Sequence, residues 1–222
     1  MKHVIIVAGG SGKRFGSQVP KQFLPLAGLP VLMHTIQRFA RHASTITLAL
    51  PQSQMGYWHD LCGQYSFSIP VNIVAGGNSR FESVKNAINS IHVNDGDIIA
   101  VHDGVRPLVS DKVINAVLEK AAASGSAIPA IHVTDSIRML DNDGFSHAVD
   151  RSLLVAVQTP QAFNARLLKK AYDVPFSESY TDDASVYEHS GHKIHIVDGD
   201  SRNIKITNPD DIVIAEKILA NG

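Results

Sequence analysis

The stretch Val4–Leu24 (VIIVAGGSGKRFGSQVPKQFL) constrains this chain more than any other. An apolar run, His3 to Val7, empties into Ala8-Gly9-Gly10-Ser11-Gly12. Lys13, Arg14 and Lys21 follow with no acidic residue among them. A buried strand that ends in a glycine turn exposes successive backbone N–H groups, and these cradle an anion. Three neighbouring cations suit a polyphosphate better than a single carboxylate or sulfate. Spacing then separates the known phosphate loops. A Walker A loop needs Gly-Lys-Ser/Thr at a fixed distance, and neither Gly9 nor Gly10 has it. The dinucleotide fingerprint matches at Gly10 and Gly12 but meets Phe15 where its third glycine belongs. It also needs an acid about twenty residues on to hold a ribose, and the first acid in the chain is Asp60.

Charge reinforces this reading. Of the 20 Lys/Arg and 21 Asp/Glu, six of the bases and none of the acids precede Asp60. Such asymmetry points to an anionic ligand near the N-terminal segment. A pI of about 6.8 and the lack of a basic stripe argue against nucleic acid, so a small polyanion fits better. With 222 residues, 44% of them apolar, the chain suits one α/β domain with a sizeable core. No run approaches the roughly 18 apolar residues of a membrane span, and no signal-peptide pattern is present, so no membrane association is expected. A single cysteine, Cys62, leaves no disulfide framework and no all-cysteine metal site. The expected location is cytoplasmic.

Strand and helix patterns alternate along the rest of the chain. Pro30 is expected at the first position of a helix carrying Leu32, Ile36, Phe39 and Ala40 inward. Thr45–Leu50 reads as a strand closed by Pro51, and 54–65 as a helix. Val71–Ala75 is a strand that ends in Gly76-Gly77-Asn78. A helix follows at once, with Ser79 as N-cap, Glu82 completing a capping box, and Val84, Ile88 and Ile91 on one face. This second glycine turn is either a second ligand-facing edge or only a tight connection. Asp97–Val101 delivers His102-Asp103-Gly104-Val105-Arg106-Pro107, at the strand end where open α/β sheets place ligands. Asp103 and Arg106 there are either site residues or a structural ion pair, and His102 reads as packed rather than ligating. Ser110 caps the next helix, with Ile114, Val117, Leu118 and Ala121 inward, and Ile128–Val133 is a strand.

The pattern then changes. Residues 135–151 hold two short segments around Asp141-Asn142-Asp143-Gly144, a hairpin signal. Neither has enough apolar residues to bury against the main sheet, so a projecting β-arm that covers itself on a partner subunit is expected. Leu154–Val157 returns to the sheet. Helices are expected at 164–172 and 182–190, the second capped by Thr181. Lys193–Val197 is a strand, and Pro209 opens a last helix with Ile212, Ala215 and Leu219 on one side. The whole reads as a single domain, 1–222: a three-layer αβα sandwich on a Rossmann-like, mostly parallel sheet, with a β-arm used in dimerisation.

The first stretch resembles the sugar-nucleotidyltransferase signature, A-G-G-x-G-x-R followed by P-K-Q. Along the chain AGGSGKR, PKQF, GGNSRFESV, VHDGVRP, VTDS, VDRS, QTPQ and NIKIT occur in order. Together they resemble the 2-C-methyl-D-erythritol 4-phosphate cytidylyltransferases of the non-mevalonate isoprenoid pathway. The ribitol 5-phosphate cytidylyltransferases share most blocks, but Val149-Asp150-Arg151-Ser152 ahead of Gln158-Thr159-Pro160-Gln161 is closer to the methylerythritol group. The resemblance implies a reaction of CTP with a sugar or polyol phosphate that releases pyrophosphate.

It also implies residue roles. Arg14 and Lys21 would act on the α-phosphate, with Arg151 and Lys205 completing the catalytic set. Nucleotide contacts would fall on Ala8, Gly9, Gly10, Gly12, Gly76, Gly77, Ser83 and Gly104. Asp103, Arg106, Ser136, Arg151, Thr159 and Lys205 would hold the acceptor, with the arm residues reaching a neighbouring subunit's site. Ser136 stands where better-known members have threonine. Mg²⁺ is the expected cofactor, carried mainly by nucleotide phosphates, since no carboxylate pair stands at metal spacing and no protein metal site is expected. A polyol-phosphate cytidylyltransferase and a non-catalytic CTP-binding regulator are the competing readings. Retention of both Arg14 and Lys21 argues against the regulator.

Overall fold

The computed structural model describes residues 1–9 and 19–221. The expected roles of Gly10, Gly12 and Arg14 therefore lie outside the described residues. Lys2–Val7 forms β1, and its alternation divides the core: Val4 and Ile6 face one side, Ile5 the other. Pro25–Leu26 (β2) and Leu29–Pro30 (β3) pair as a small hairpin. The next helix, α1, spans Val31–Phe39. Pro30 is its N-cap rather than its first helical residue, because its backbone is still extended and paired with Pro25. Ala40 caps the other end and is exposed instead of facing inward.

Thr45–Leu50 (β4) runs parallel to β1, and after Met55–Gln64 (α2) the strand Asn72–Ala75 (β5) runs parallel to β4. Arg80–Ser90 (α3) then carries the chain back across the sheet to Ile98–Asp103 (β6), parallel to β1 on its other side. The sheet thus grows outward from β1 through β4 and β5, and then restarts at β6. This reversal is a topological switch point, and the crevice at the strands' carboxyl ends lies between β1 and β6. Ser79 accepts the Glu82 N–H as a cap, but the Glu82 carboxylate accepts from Asn78 N–H, not Ser79 N–H, so the expected box is shifted by one residue.

Beyond β6 come Asp111–Ser124 (α4), capped by Ser110, and Ser126–His132 (β7). Among the described residues, Ile137–Leu140 (β8) and Ser146–Val149 (β9) pair only with each other, as a separate two-stranded arm. Val155–Val157 (β10) pairs antiparallel with β7 at the sheet edge. Gln161–Asn164 (β11) is inserted antiparallel between β6 and β7, a strand the sequence patterns do not announce. Ala165–Ala171 (α5) and Asp183–His189 (α6) follow, the latter capped by Asp182, not Thr181. The Asp182 side chain accepts from Ser185 N–H while Ser185 Oγ accepts from Asp182 N–H. Ile196–Asp198 (β12) joins β7, and Pro209–Ala220 (α7) closes the chain behind an Asn208–Asp211 capping box.

The eight-stranded sheet runs β10-β7-β11-β6-β1-β4-β5 with β12 beside β7. Helices α1, α2 and α4 bury Leu32, Ile36, Trp58 and Val117 on one face, and α3, α5 and α6 bury Val84, Leu168 and Val186 on the other. Each such fully buried aliphatic side chain contributes about 2 kcal/mol. The three layers expected from the alternation are therefore present. Helix α7 belongs to a smaller cluster in which Ala215 meets Leu26, Val31, Val105, Leu108 and Ile206. No described helix is long and apolar enough to cross a membrane.

Candidate active site

The switch point opens into a cleft of about 240 Å³. Val7, Ala8 and Gly9 at the end of β1 form its floor, Gly77 to Arg80 and Ser83 one wall, and Lys21, Gln22, Asp103, Val105 and Lys205 the other. Close packing of backbone explains the glycines. A Cβ on Gly104 would lie 3.0 Å from Ala8 Cβ and 3.1 Å from the Val7 carbonyl oxygen, so the turn after β6 presses directly under β1. A Cβ on Gly77 would meet Glu82 Cβ at 2.2 Å. Gly77 N–H instead donates to Ser83 Oγ at 3.1 Å, and that hydroxyl donates to the Ser79 carbonyl at 2.9 Å. The turn between β5 and α3 is thus held tight against the cleft.

Asp103 is the electrostatic centre. It ends β6 opposite Val7. Lys205 Nζ stands 2.8 Å and Arg106 Nε 3.6 Å from its Oδ2, and Arg80 Nε 3.5 Å from its Oδ1. Burial opposes ionisation of Asp103, but Arg80, Lys205 and Arg106 outweigh it and hold the carboxyl well below the usual range. Behind it, Asp103 N–H donates to Thr159 Oγ1 (3.1 Å), Thr159 Oγ1–H is directed at His102 Nδ1 (3.0 Å), and His102 Nε2–H at the Arg106 carbonyl (3.0 Å). Burial brings the His102 pKa down to about 4, so the ring is neutral and this donor order is fixed. The Lys205 segment is anchored at both ends: Asn203 Nδ2 donates to the Thr159 carbonyl at 2.9 Å, and Ile206 N–H to that of Val105 at 2.9 Å. Lys21 approaches the same segment, its Nζ donating to the Ile206 carbonyl at 3.1 Å.

Of the residues singled out from sequence, Ala8, Gly9, Gly77, Ser83, Lys21, Asp103 and Lys205 line the cleft together. Gly76 and Gly104 lie behind that surface: a Cβ at Gly76 would be 3.0 Å from Ser83 Oγ. Arg106 and Thr159 back Asp103, with Arg106 Nη1 donating to the Asn203 carbonyl at 2.8 Å. Ser136 and Arg151 are exposed around the arm, Arg151 donating to the Thr134 carbonyl, and neither reaches the cleft of its own chain. Gln22 and Arg80 are cleft residues that were given no role from sequence. Gln22 is buried and donates to the Ala8 carbonyl (2.8 Å) and to Gln54 Oε1 (2.7 Å), steadying the end of β1. Arg80 is bidentate on Asp183, at 3.0 and 2.7 Å. Their places in the Pro-Lys-Gln and Gly-Gly-x-x-Arg blocks were the available signals.

For a metal ion, the donor set is decisive. Among the described residues no group of three or more His, Cys, Asp or Glu side chains lies together. Asp103 is already shared among three cations. A divalent ion accompanying a triphosphate would therefore take its ligands mainly from phosphate oxygens, a fit consistent with this cleft.

A switch-point crevice floored by Ala8 and Gly9 and lined by Lys21, Arg80 and Lys205, on a mostly parallel sheet, is suited to a nucleotidyltransferase. A family model described as 2-C-methyl-D-erythritol 4-phosphate cytidylyltransferase matches residues 2–221. The enzyme of that name from Porphyromonas gingivalis is 48% identical over 221 residues, covering 99% of this chain and 98% of that one. That from Phocaeicola vulgatus is 46% identical over 220 residues, covering 98% and 99%. Among solved structures, the 4-diphosphocytidyl-2C-methyl-D-erythritol synthase of Anaerococcus prevotii gives a TM-score of 0.83 at 25% identity, covering 99% of this chain and 96% of that chain. The Francisella tularensis cytidylyltransferase gives 0.80 at 30%, covering 97% and 98%. The chain belongs to the 2-C-methyl-D-erythritol 4-phosphate cytidylyltransferase family.

Proposed function

We propose that this chain joins CTP to 2-C-methyl-D-erythritol 4-phosphate, giving 4-diphosphocytidyl-2-C-methyl-D-erythritol and pyrophosphate for isoprenoid precursor synthesis. Family membership supports the reaction, and the observation that carries the site assignment is the convergence of Lys21 and Lys205 on the floor formed by Ala8 and Gly9. A phosphate monoester has its second pKa near about 6 and is already ionised at neutral pH, so the acceptor oxygen attacks the α-phosphorus without a general base. The barrier lies in bringing anions together and holding charge on the transferring phosphoryl group. Lys21, with Arg14, stabilises the α-phosphate and the leaving pyrophosphate. Lys205 orients the acceptor phosphate. The backbone edge formed by Ala8, Gly9 and Gly77, with Ser83, receives the nucleoside. The divalent ion, for which we assign Mg²⁺, offsets triphosphate charge when bound. The setting is cytoplasmic.

The arm supplies the remaining acceptor residues in this reading. Leu140, Phe145 and Leu153 are 81, 73 and 82% exposed, more apolar surface than a two-stranded ribbon leaves in water without a partner. We assign that partner as a second copy of the chain, whose cleft receives Ser136 and Arg151. The test is pyrophosphate release from CTP and Mg²⁺ with either methylerythritol 4-phosphate or ribitol 5-phosphate. Release with the first alone is expected. Release with the second alone moves the acceptor to ribitol phosphate, and CTP binding with no release supports a regulator.

A further inference from the structure

We infer that Arg80, gripped by Asp183, is a positioning residue that aims Lys205 into the cleft through the shared carboxylate of Asp103. The inference rests on the proposed cytidylyl transfer and adds two residues to it. Asp183 is wholly buried in the first turn of α6, where its carboxylate accepts both Arg80 Nη groups at 3.0 and 2.7 Å and the Tyr172 hydroxyl at 2.6 Å. A carboxylate taken out of water at this depth is tolerated only when so paired. The two-point grip fixes the guanidinium plane as a lysine does not. What remains of the fork, Nε, faces Asp103 Oδ1 at 3.5 Å.

The two oxygens of Asp103 are therefore divided. Arg80 occupies the Oδ1 side, and Lys205 and Arg106 share Oδ2. Lys205 is the most exposed of these cations, at 42%, and its ammonium is the end of the chain of contacts that meets incoming phosphate. With the charge of Asp183 removed, Arg80 loses its stronger partner and closes its full fork on Asp103. The carboxylate then turns away from Lys205. The burial and bidentate geometry of the pair make a rigid brace between α6 and α3, and toward the cleft the brace meets Asp103.

The experiment uses the full chain carrying Asp183→Asn, Asp183→Glu or Arg80→Lys. Steady-state constants are measured separately for CTP and for the acceptor, beside a thermal melt. Asp183→Asn is expected to raise the acceptor KM about tenfold with the CTP KM within twofold. Asp183→Glu, which keeps the anion, recovers most of that loss, and Arg80→Lys gives an intermediate rise. A purely structural pair would lower the melting temperature and leave both KM values unchanged, which overturns the inference. If Asp183→Asn fails to fold, a wild-type acceptor KM in Arg80→Lys overturns it instead. Lys205 is also followed directly by NMR of ¹³C-methylated lysines, with Lys205→Arg identifying its resonance. That resonance is expected to move in Arg80→Lys whatever the acceptor. Its constancy counts against the brace, whereas wild-type silence toward methylerythritol phosphate counts only against the proposed reaction.

Discussion

Lys205 Nζ lies 2.8 Å from Asp103 Oδ2, and this contact ties the segment before α7 to the end of β6. The carboxylate serves Lys205, Arg106 and Arg80 at once, so its loss leaves partly buried cations without their counter-charge. Breaking a buried pair from one side costs about 3 kcal/mol. Asp103→Asn is therefore expected to lower kcat/KM for the acceptor about a hundredfold and to lower the melting temperature. Steady-state kinetics with a parallel melt check both, and near-normal turnover contradicts the assignment.

The two lysines are expected to fail differently. Lys21→Ala removes charge from the group that becomes more anionic during transfer, so kcat falls about 10²- to 10³-fold with little change in CTP KM. Lys205→Ala raises the acceptor KM first. Initial-rate measurements with each substrate varied in turn separate these outcomes, and identical profiles for the two variants contradict the division of roles.

Gly77 gives a steric prediction. A methyl group there meets Glu82 Cβ at 2.2 Å and Oε2 at 2.8 Å, so the turn before α3 must shift. Gly77→Ala is expected to destabilise the fold by about 2 kcal/mol and to weaken CTP binding at least about tenfold. Calorimetric titration with CTP reads the second effect, and unchanged affinity shows that this turn lies outside the nucleotide contact.

Stability has a defined acid dependence. Burial brings the folded-state pKa of His102 down to about 4 from an ordinary 6.5. Between those values the unfolded chain binds a proton that the folded chain refuses. Stability is thus complete above pH 6.5 and falls by about 3 kcal/mol as the pH drops to about 4. Asp103 adds a loss at lower pH: its folded pKa is depressed, so its contribution holds above about 4 and disappears on further acidification. Urea unfolding from pH 7.5 to 4.5 measures the first window. His102→Gln is expected to flatten it, and an undiminished slope contradicts the buried-imidazole account.

The arm predicts an oligomer. Removal of residues 136–150, or Leu140→Asp with Phe145→Asp, is expected to give a monomer in sedimentation that binds CTP but has lost acceptor turnover. A persisting dimer means that another surface holds the subunits.

Much of this was legible in sequence because burial on both faces leaves continuous apolar runs: β1, β4 and β6 stand out so. The arm was legible for the opposite reason, a turn signal between segments too polar for a core. β11 was hidden. Its four residues follow Pro160 and begin with Gln161, whose buried amide is satisfied by Asp182 Oδ2 and Ala184 N–H, contacts no local pattern reveals. Asp183 stands in the first turn of a helix, where an acid is favoured by the positive end, and nothing local reveals its partner Arg80, 103 residues away. Thr159 was expected at the acceptor, and the structure adds contacts that sequence does not reveal: its hydroxyl is engaged by Asp103 N–H and His102. Motif blocks identified which residues gather; folding decides which of them face the cleft and which hold the others in place.

The central claim, attack by an acceptor phosphate oxygen at the α-phosphorus with loss of pyrophosphate, is tested most directly by isotope. Methylerythritol 4-phosphate carrying ¹⁸O in its phosphate is converted with unlabelled CTP, and the products are weighed by mass spectrometry. All label is predicted in the cytidyl diphosphate product, with unlabelled pyrophosphate formed in equal amount. Label in pyrophosphate, or release of CMP in its place, would contradict the account.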